Sequence, residues 1–242
     1  MFGLSRRINW KGLTQFTSDC YFQAMMGHRL RAKSQAELVD KLSARGFLTM
    51  EDPVVLDKLK TIDRANFLPL PTPATIYDNI PQKLQPSSHS MSTPQLHAQI
   101  ISLLETRFGP NRVACEIGCG SGYLPAVMHA LGTERVFAIE QNPDLLKACH
   151  ANLSDCESVV IGQTPKDVVL PLDALYISTF FESEAALMDY LTQFDFNPDA
   201  CVVAVFQDPE PSLIDQQLVL LTRESSWQKN LLFRVLCEPM IV

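Results

Sequence analysis

The chain has 242 residues, 46% hydrophobic and 19% charged, enough to bury one substantial core and best read as one domain with an appendage. No apolar run approaches ~18 residues, which argues against a membrane-spanning helix, and a formal net charge of −7 argues against broad contact with nucleic acid, where many Lys and Arg must meet phosphates. Seven cysteines, at 20, 115, 119, 149, 156, 201 and 237, form no C-x-x-C pair and no zinc-like spacing, so they read as buried thiols in a reducing compartment.

The charge is uneven. Residues 1–33 carry Arg6, Arg7, Lys11, Arg29, Arg31 and Lys33 against Asp19 alone, a surplus of five positive charges that leaves −12 for the remainder. This basic, acid-poor start resembles a mitochondrial targeting segment in composition. A retained extension would instead dock on its own domain or on a partner, possibilities that leave mitochondrial and cytoplasmic locations both open.

The first regular element is predicted over 34–46. Ser34 and Glu37 make a capping box, Leu38, Val39 and Leu42 supply an apolar face, and Gly46 is a stop. A second helix starts at Asp52-Pro53 and presents Val54, Val55, Leu59 and Ile62. The proline-rich stretch 69–86 reads as an extended surface loop. Thr93-Pro94, a cap residue followed by a first-turn proline, opens a helix through Leu96, Ile100, Ile101, Leu103 and Leu104 to the breaker Gly109-Pro110.

Beyond that point strand-like runs at 112–117, 135–139, 158–161, 174–178 and 201–206 alternate with helix-like runs at 122–131, 143–153 and 182–194. The alternation predicts an α/β fold, a doubly wound and mostly parallel sheet with helices on both faces. Two late strand candidates, 217–222 and 231–236, flank Arg223-Glu224-Ser225-Ser226 and predict a C-terminal antiparallel hairpin.

Within this pattern, Glu116-Ile117-Gly118-Cys119-Gly120-Ser121-Gly122 follows the first strand and opens a helix. Missing Cβ atoms let such a turn approach a ligand closely. The third glycine comes one residue too early for the dinucleotide fingerprint G-x-G-x-x-G, because position 123 is Tyr. The shorter G-x-G-x-G, with an acidic residue two before it, suits S-adenosyl-L-methionine, whose ammonium and ribose hydroxyls want a carboxylate. Glu140 ends the next strand and is placed to accept both ribose hydroxyls. Cys119 reads as a small loop-filling residue, since no His lies near it in sequence.

Taken together, these segments resemble the protein-L-isoaspartate O-methyltransferase family from about Ser34 onward. The resemblance rests on Asp63-Arg64-Ala65-Asn66-Phe67 and on Tyr77-Asp78-Asn79-Ile80-Pro81, like the family's Y-x-D-x-P. It rests further on Ser90-Met91-Ser92-Thr93-Pro94-Gln95-Leu96-His97-Ala98, like T-I-S-A-P-H-M-H-A, with the glycine loop and 217–223 following in the family's order. It implies a Rossmann-like class I methyltransferase domain over 34–242: a helical lead-in at 34–68, a substrate-side loop at 69–92 and a core at 93–242. It also implies S-adenosyl-L-methionine as cofactor, held by Glu116, Gly118, Cys119, Gly120, Ser121, Gly122, Glu140 and Gln163. The substrate would be a protein or peptide bearing isoaspartyl residues, methylated on the free carboxylate. Ser92 would orient the acceptor oxygen, beside Ser90 and His97. No metal is implied.

The chain departs from the family at several positions. Gly162-Gln163-Thr164 stands where the family has G-D-G, Ser90 replaces Thr, and Gln95 replaces the first His. Ile177-Ser178-Thr179-Phe180-Phe181 replaces a run of small residues, so that two phenylalanines narrow the acceptor side, and Val205-Phe206-Gln207 replaces P-V-G. An alternative therefore stands beside the enzyme: a member without its reaction, serving as a subunit or assembly factor of a larger complex through residues 1–33. A methyltransferase with another acceptor is a third reading.

Overall fold

In the computed structural model, which describes residues 30–49, 52–69, 73–207, 216–235 and 238–239, the alternating segments pair into one eight-stranded sheet. Its parallel strands are β3 (Val113–Ile117), β4 (Arg135–Ile139), β5 (Val159–Gly162), β6 (Leu172–Phe181) and β7 (Phe196–Gln207); β8 (Gln216–Arg223) and β9 (Trp227–Val235) add antiparallel, in the order 5-4-3-6-7-8-9. Both faces are covered, which is why β3, β4 and β6 read as nearly unbroken apolar runs. The strand order reverses between β3 and β6, so their carboxyl ends flank the crevice in which sheets of this kind bind ligands.

Ahead of the sheet come α1 (Gln35–Ala44), α2 (Pro53–Thr61), a 3-10 turn (Arg64–Phe67), a small hairpin of β1 (Gln82–Lys83) and β2 (Ser90–Met91), and α3 (Pro94–Leu104). Their apolar faces join α4 (Tyr123–Ala130) and α5 (Pro143–Asn152) in one layer, through Leu38, Leu42, Leu59, Ile100, Leu104, Val127 and Cys149. The opposite layer is built by α6 (Glu184–Leu191), whose Leu187 and Leu191 cover Phe137, Leu175, Ile177 and Val202. The predicted fold class stands, hairpin included.

Several local expectations change. Ser34 caps α1 through the Glu37 N–H, but the Glu37 carboxylate accepts from the N–H of Lys33 at 2.7 Å rather than closing the box on Ser34. Val54 points outward, 60% exposed, and Leu59 carries the burial of α2 instead. The proline-rich connector is not wholly irregular, since Gln82–Lys83 pairs with Ser90–Met91. The packed body begins before residue 34: Leu30 is fully buried and its carbonyl accepts from the Asn79 N–H at 3.0 Å. The rest of the basic stretch, residues 1–29, lies outside the described residues. Another unforeseen strand, β10 (Glu238–Pro239), pairs parallel with β6 at Thr179 and Phe180.

Candidate active site at the switch point

The glycine loop leaves β3 under tension from two sides. The Gly118 and Cys119 amides both donate to the Ile139 carbonyl, at 2.8 and 3.1 Å, so the turn is stapled to the end of β4. Gly118, Gly120 and Gly122 have φ of +77°, +57° and +92°, the left-handed region in which any Cβ is strained. At Gly118 a Cβ would also strike the Ser178 hydroxyl, which donates to the carbonyls of Ile117 (3.0 Å) and Gly118 (2.6 Å). Ser178 lies where β6 slips register against β7, between Tyr176 and Phe180. Such an irregularity re-aims backbone and side chain beside a site. Ser121 is buried, and its carbonyl accepts from the Asn152 side chain at 2.9 Å.

The two acidic residues differ in environment. Glu140 accepts the Gly120 N–H through Oε2 and the Asn142 N–H through Oε1, each at 2.8 Å, so it shapes the loop while each oxygen keeps a further lone pair. Glu116 is buried, and its Oε2 has no hydrogen-bond partner among the described residues. Burial, with the nearby Cys149 and Glu140, holds its carboxyl well above the ordinary range. Cys119 lies 3.6 Å, sulfur to sulfur, from Cys149. That contact and burial push its thiol well up, so it is a protonated filler and not a nucleophile.

Gln163 is solvent-exposed, and what shapes its turn is Asp167. One Asp167 oxygen accepts from the Gln163 and Thr164 amides, both at 2.8 Å, and this holds its pKa below the usual range. Gly162 is required there because a Cβ would meet Asp167 at 2.6 Å. The pattern Thr164-Pro165-Lys166-Asp167 is a cap signature in the sequence and offered the signal for this residue.

Ser90 and Ser92 are half-buried at the end of the small hairpin and the start of α3, whose cap is the Thr93 hydroxyl. The Ser92 carbonyl accepts from Arg64 Nη2 at 3.2 Å. His97 faces inward, its ring 5.1 Å from that of Tyr123. Desolvation, then the Arg64 charge, lower its pKa to about 3, so at pH 7 the ring is neutral and packs rather than carrying a proton. Leu84 is the link between the two sides: a Cβ on Gly120 would lie 3.2 Å from its Cδ1. The phenylalanine pair divides. Phe181 is buried in the α6 layer, with its ring 5.1 Å from that of Tyr190, and only Phe180 packs on the acceptor-side layer. The expectation that both phenylalanines face one space is corrected: Phe181 turns to the opposite layer, because successive strand residues face opposite ways. Among the described residues no cluster of His, Cys, Asp and Glu is arranged to hold a metal ion.

Residues 33–168, which hold the Ser92 segment, the glycine loop and the Asp167 turn, match the model of the protein-L-isoaspartate(D-aspartate) O-methyltransferase family. The chain belongs to that family. Among curated relatives, a Dictyostelium discoideum protein assigned as a protein-L-isoaspartate O-methyltransferase is 30% identical over 172 residues, covering 66% of this chain and 54% of that protein. The Methylorubrum extorquens protein-L-isoaspartate O-methyltransferase is 30% identical over 154 residues, covering 61% and 64%. The chain thus spans between half and two thirds of the length of these relatives. The fold agrees with a crystal structure of a Plasmodium falciparum protein assigned as a protein-L-isoaspartate O-methyltransferase, at TM-score 0.70 and 19% identity, over 86% of this chain and 98% of that one.

Arg64, Asn79 and Leu84 lie inside motifs or loops of the family pattern, yet their roles depend on partners far along the chain. Asn79 stands at the Asp of Y-x-D-x-P and Gln95 at the first His of P-H-M-H, and the two replacements meet side chain to side chain.

Proposed function

We propose that this chain is an S-adenosyl-L-methionine-dependent O-methyltransferase acting on the free carboxylate of isoaspartyl residues in protein or peptide, the first step of their repair. The observation that carries the reading is the cradle: three left-handed glycines between the buried Glu116, with an unmatched Oε2, and Glu140, which organises the loop through Gly120. The names of the relatives support the acceptor, and the Plasmodium falciparum structure is of a complex with S-adenosyl-L-homocysteine.

These residues fit the cofactor. Glu140 offers its remaining lone pairs to ribose hydroxyls, Glu116 gives an ammonium a buried acceptor, and Gly118 to Gly122 admit the ligand against backbone. Bound there, the cofactor supplies a methyl group activated on a sulfonium. The acceptor, with a pKa of ~4, is ionised at pH 7 and needs no strong base, which agrees with a neutral His97. The chain's task is to orient the carboxylate oxygen through Ser92 and to exclude water. Titration calorimetry with S-adenosyl-L-methionine, then radiolabel transfer to an isoaspartyl peptide, tests both halves. Binding is expected, with transfer reduced about tenfold or more by Ser92→Ala. Cofactor binding with no labelled peptide would sink the acceptor assignment.

A second reading, a subunit or assembly factor of a mitochondrial complex, draws on Phe180 packed on the acceptor-side layer and on the basic stretch 1–33. Co-purification with a large assembly, abolished by deleting residues 1–29, would favour it.

A further inference from the structure

Beneath Ser92 lies a buried cation that no carboxylate among the described residues pairs within 4.0 Å. Arg64 is 1% exposed, in the 3-10 turn that Asp63 caps. The Asp63 carboxylate is occupied elsewhere, accepting from the Ala65 amide at 2.9 Å and from the Tyr77 hydroxyl at 2.8 and 3.0 Å. No carboxylate among the described residues lies within 4.0 Å of the guanidinium. Nη2 donates to the Ser92 carbonyl at 3.2 Å and touches Met91 Sδ at 3.4 Å, while Nε and Nη1 have no hydrogen-bond partner among the described residues. The other polar neighbours are Tyr123, Asp63 and Tyr77, which act on the guanidinium through space, the neutral His97, and Gln35, which accepts the Arg64 backbone N–H and donates to the Tyr123 hydroxyl. Burying a charge so incompletely matched is costly. In the low-dielectric interior its field is little screened.

We infer that Arg64 is the positioning residue of the acceptor side: Nη2 fixes the Ser92 backbone, and the charge, which no described carboxylate pairs directly, makes the space beside Ser92 favour an anionic acceptor. The inference rests on the reading of Ser92 as the hydroxyl that orients the acceptor. It differs from a purely structural role, in which Arg64 would only tie the 3-10 turn to the start of α3. A structural tie is indifferent to the charge of what binds.

The test compares the full chain with Arg64→Lys and Arg64→Met, using an isoaspartyl peptide and its carboxamide counterpart as competitor. Lysine keeps the charge but not the fork that reaches Ser92, so the acceptor KM should stay within about threefold while kcat falls about tenfold or more. Methionine removes the charge as well. It should raise the acceptor KM about tenfold or more and level the preference for carboxylate over carboxamide, with cofactor affinity unchanged within about twofold. A folded Arg64→Met that keeps the carboxylate preference overturns the inference, as does equal loss of cofactor affinity and turnover.

Should both variants fail to fold, the wild-type chain labelled with 15N-arginine decides. Separate Nη resonances for Arg64 that shift when isoaspartyl peptide joins the S-adenosyl-L-homocysteine complex support the inference. Averaged resonances that ignore the peptide overturn it. Failure of the proposed function looks different, because wild type itself then transfers no label while the resonances are read without turnover.

Discussion

Asn79 and Gln95 are joined twice: the Asn79 amide nitrogen donates to Gln95 Oε1 at 3.0 Å, and the Gln95 backbone N–H donates to Asn79 Oδ1 at 2.9 Å. Both are buried, and the pair ties the loop carrying Tyr77–Pro81 to the first turn of α3, three residues after Ser92. Removing one partner strands the other, which costs about 1–3 kcal/mol for a buried polar group. Asn79→Ala and Gln95→Ala should each destabilise by that order, and the double variant by less than the sum. Urea denaturation of the four proteins measures the coupling, and strict additivity would contradict a shared bond.

Gly118→Ala meets two obstacles, a φ of +77° and the Ser178 hydroxyl. A loss of about 1–3 kcal/mol is expected from the backbone conformation, with more from the clash. Adding Ser178→Ala should return only the second part. Thermal melts of both variants separate the contributions.

His97 makes stability depend on pH. Its pKa is about 3 folded against about 6.5 unfolded, so below about 6.5 the unfolded chain takes up a proton that the folded ring refuses. Stability is therefore full above that value and declines as pH falls toward 3, at up to about 1.4 kcal/mol per pH unit from this group. His97→Met should flatten that part of the profile between pH 6.5 and 4. Equal slopes in both proteins would contradict burial as the cause.

Glu140→Gln leaves one carbonyl acceptor where two oxygens now hold the Gly120 and Asn142 amides. Calorimetry should show S-adenosyl-L-methionine affinity reduced about tenfold or more, since each hydrogen bond to a charged group is worth about 1.5–3 kcal/mol. Hydrogen exchange should quicken at Gly120. Unchanged affinity would remove Glu140 from the cofactor site.

The sheet was legible because local signals agreed with the global fold. Val113–Ile117 and Arg135–Ile139 are short apolar runs, and Thr93 announces a helix with a cap followed by proline. Boundaries moved where distant pairing decided them. The predicted run at 174–178 became Leu172–Phe181 because Phe180 and Phe181 pair with Val205 and Phe206 beyond the slip in register. The last hairpin strand begins at Trp227, whose ring packs edge-on against Phe196 at 4.9 Å, so an aromatic contact extended it backward from 231. The glycine loop was readable from residue types alone. The burial of Arg64, the Asn79–Gln95 bonds and the place of Leu84 were not, since each joins segments whose spacing carries no periodic signal.

Leu84 has one more implication. Its Cδ1 lies 3.2 Å from where a Cβ on Gly120 would sit, so the hairpin that leads to Ser92 comes close to the turn stapled to Ile139. If the proposed function holds and this contact couples the two sites, whatever factor one ligand applies to the affinity of the other must be returned in equal measure. Trimming that methyl with Leu84→Ala should uncouple the two, leaving each to bind as though the other were absent.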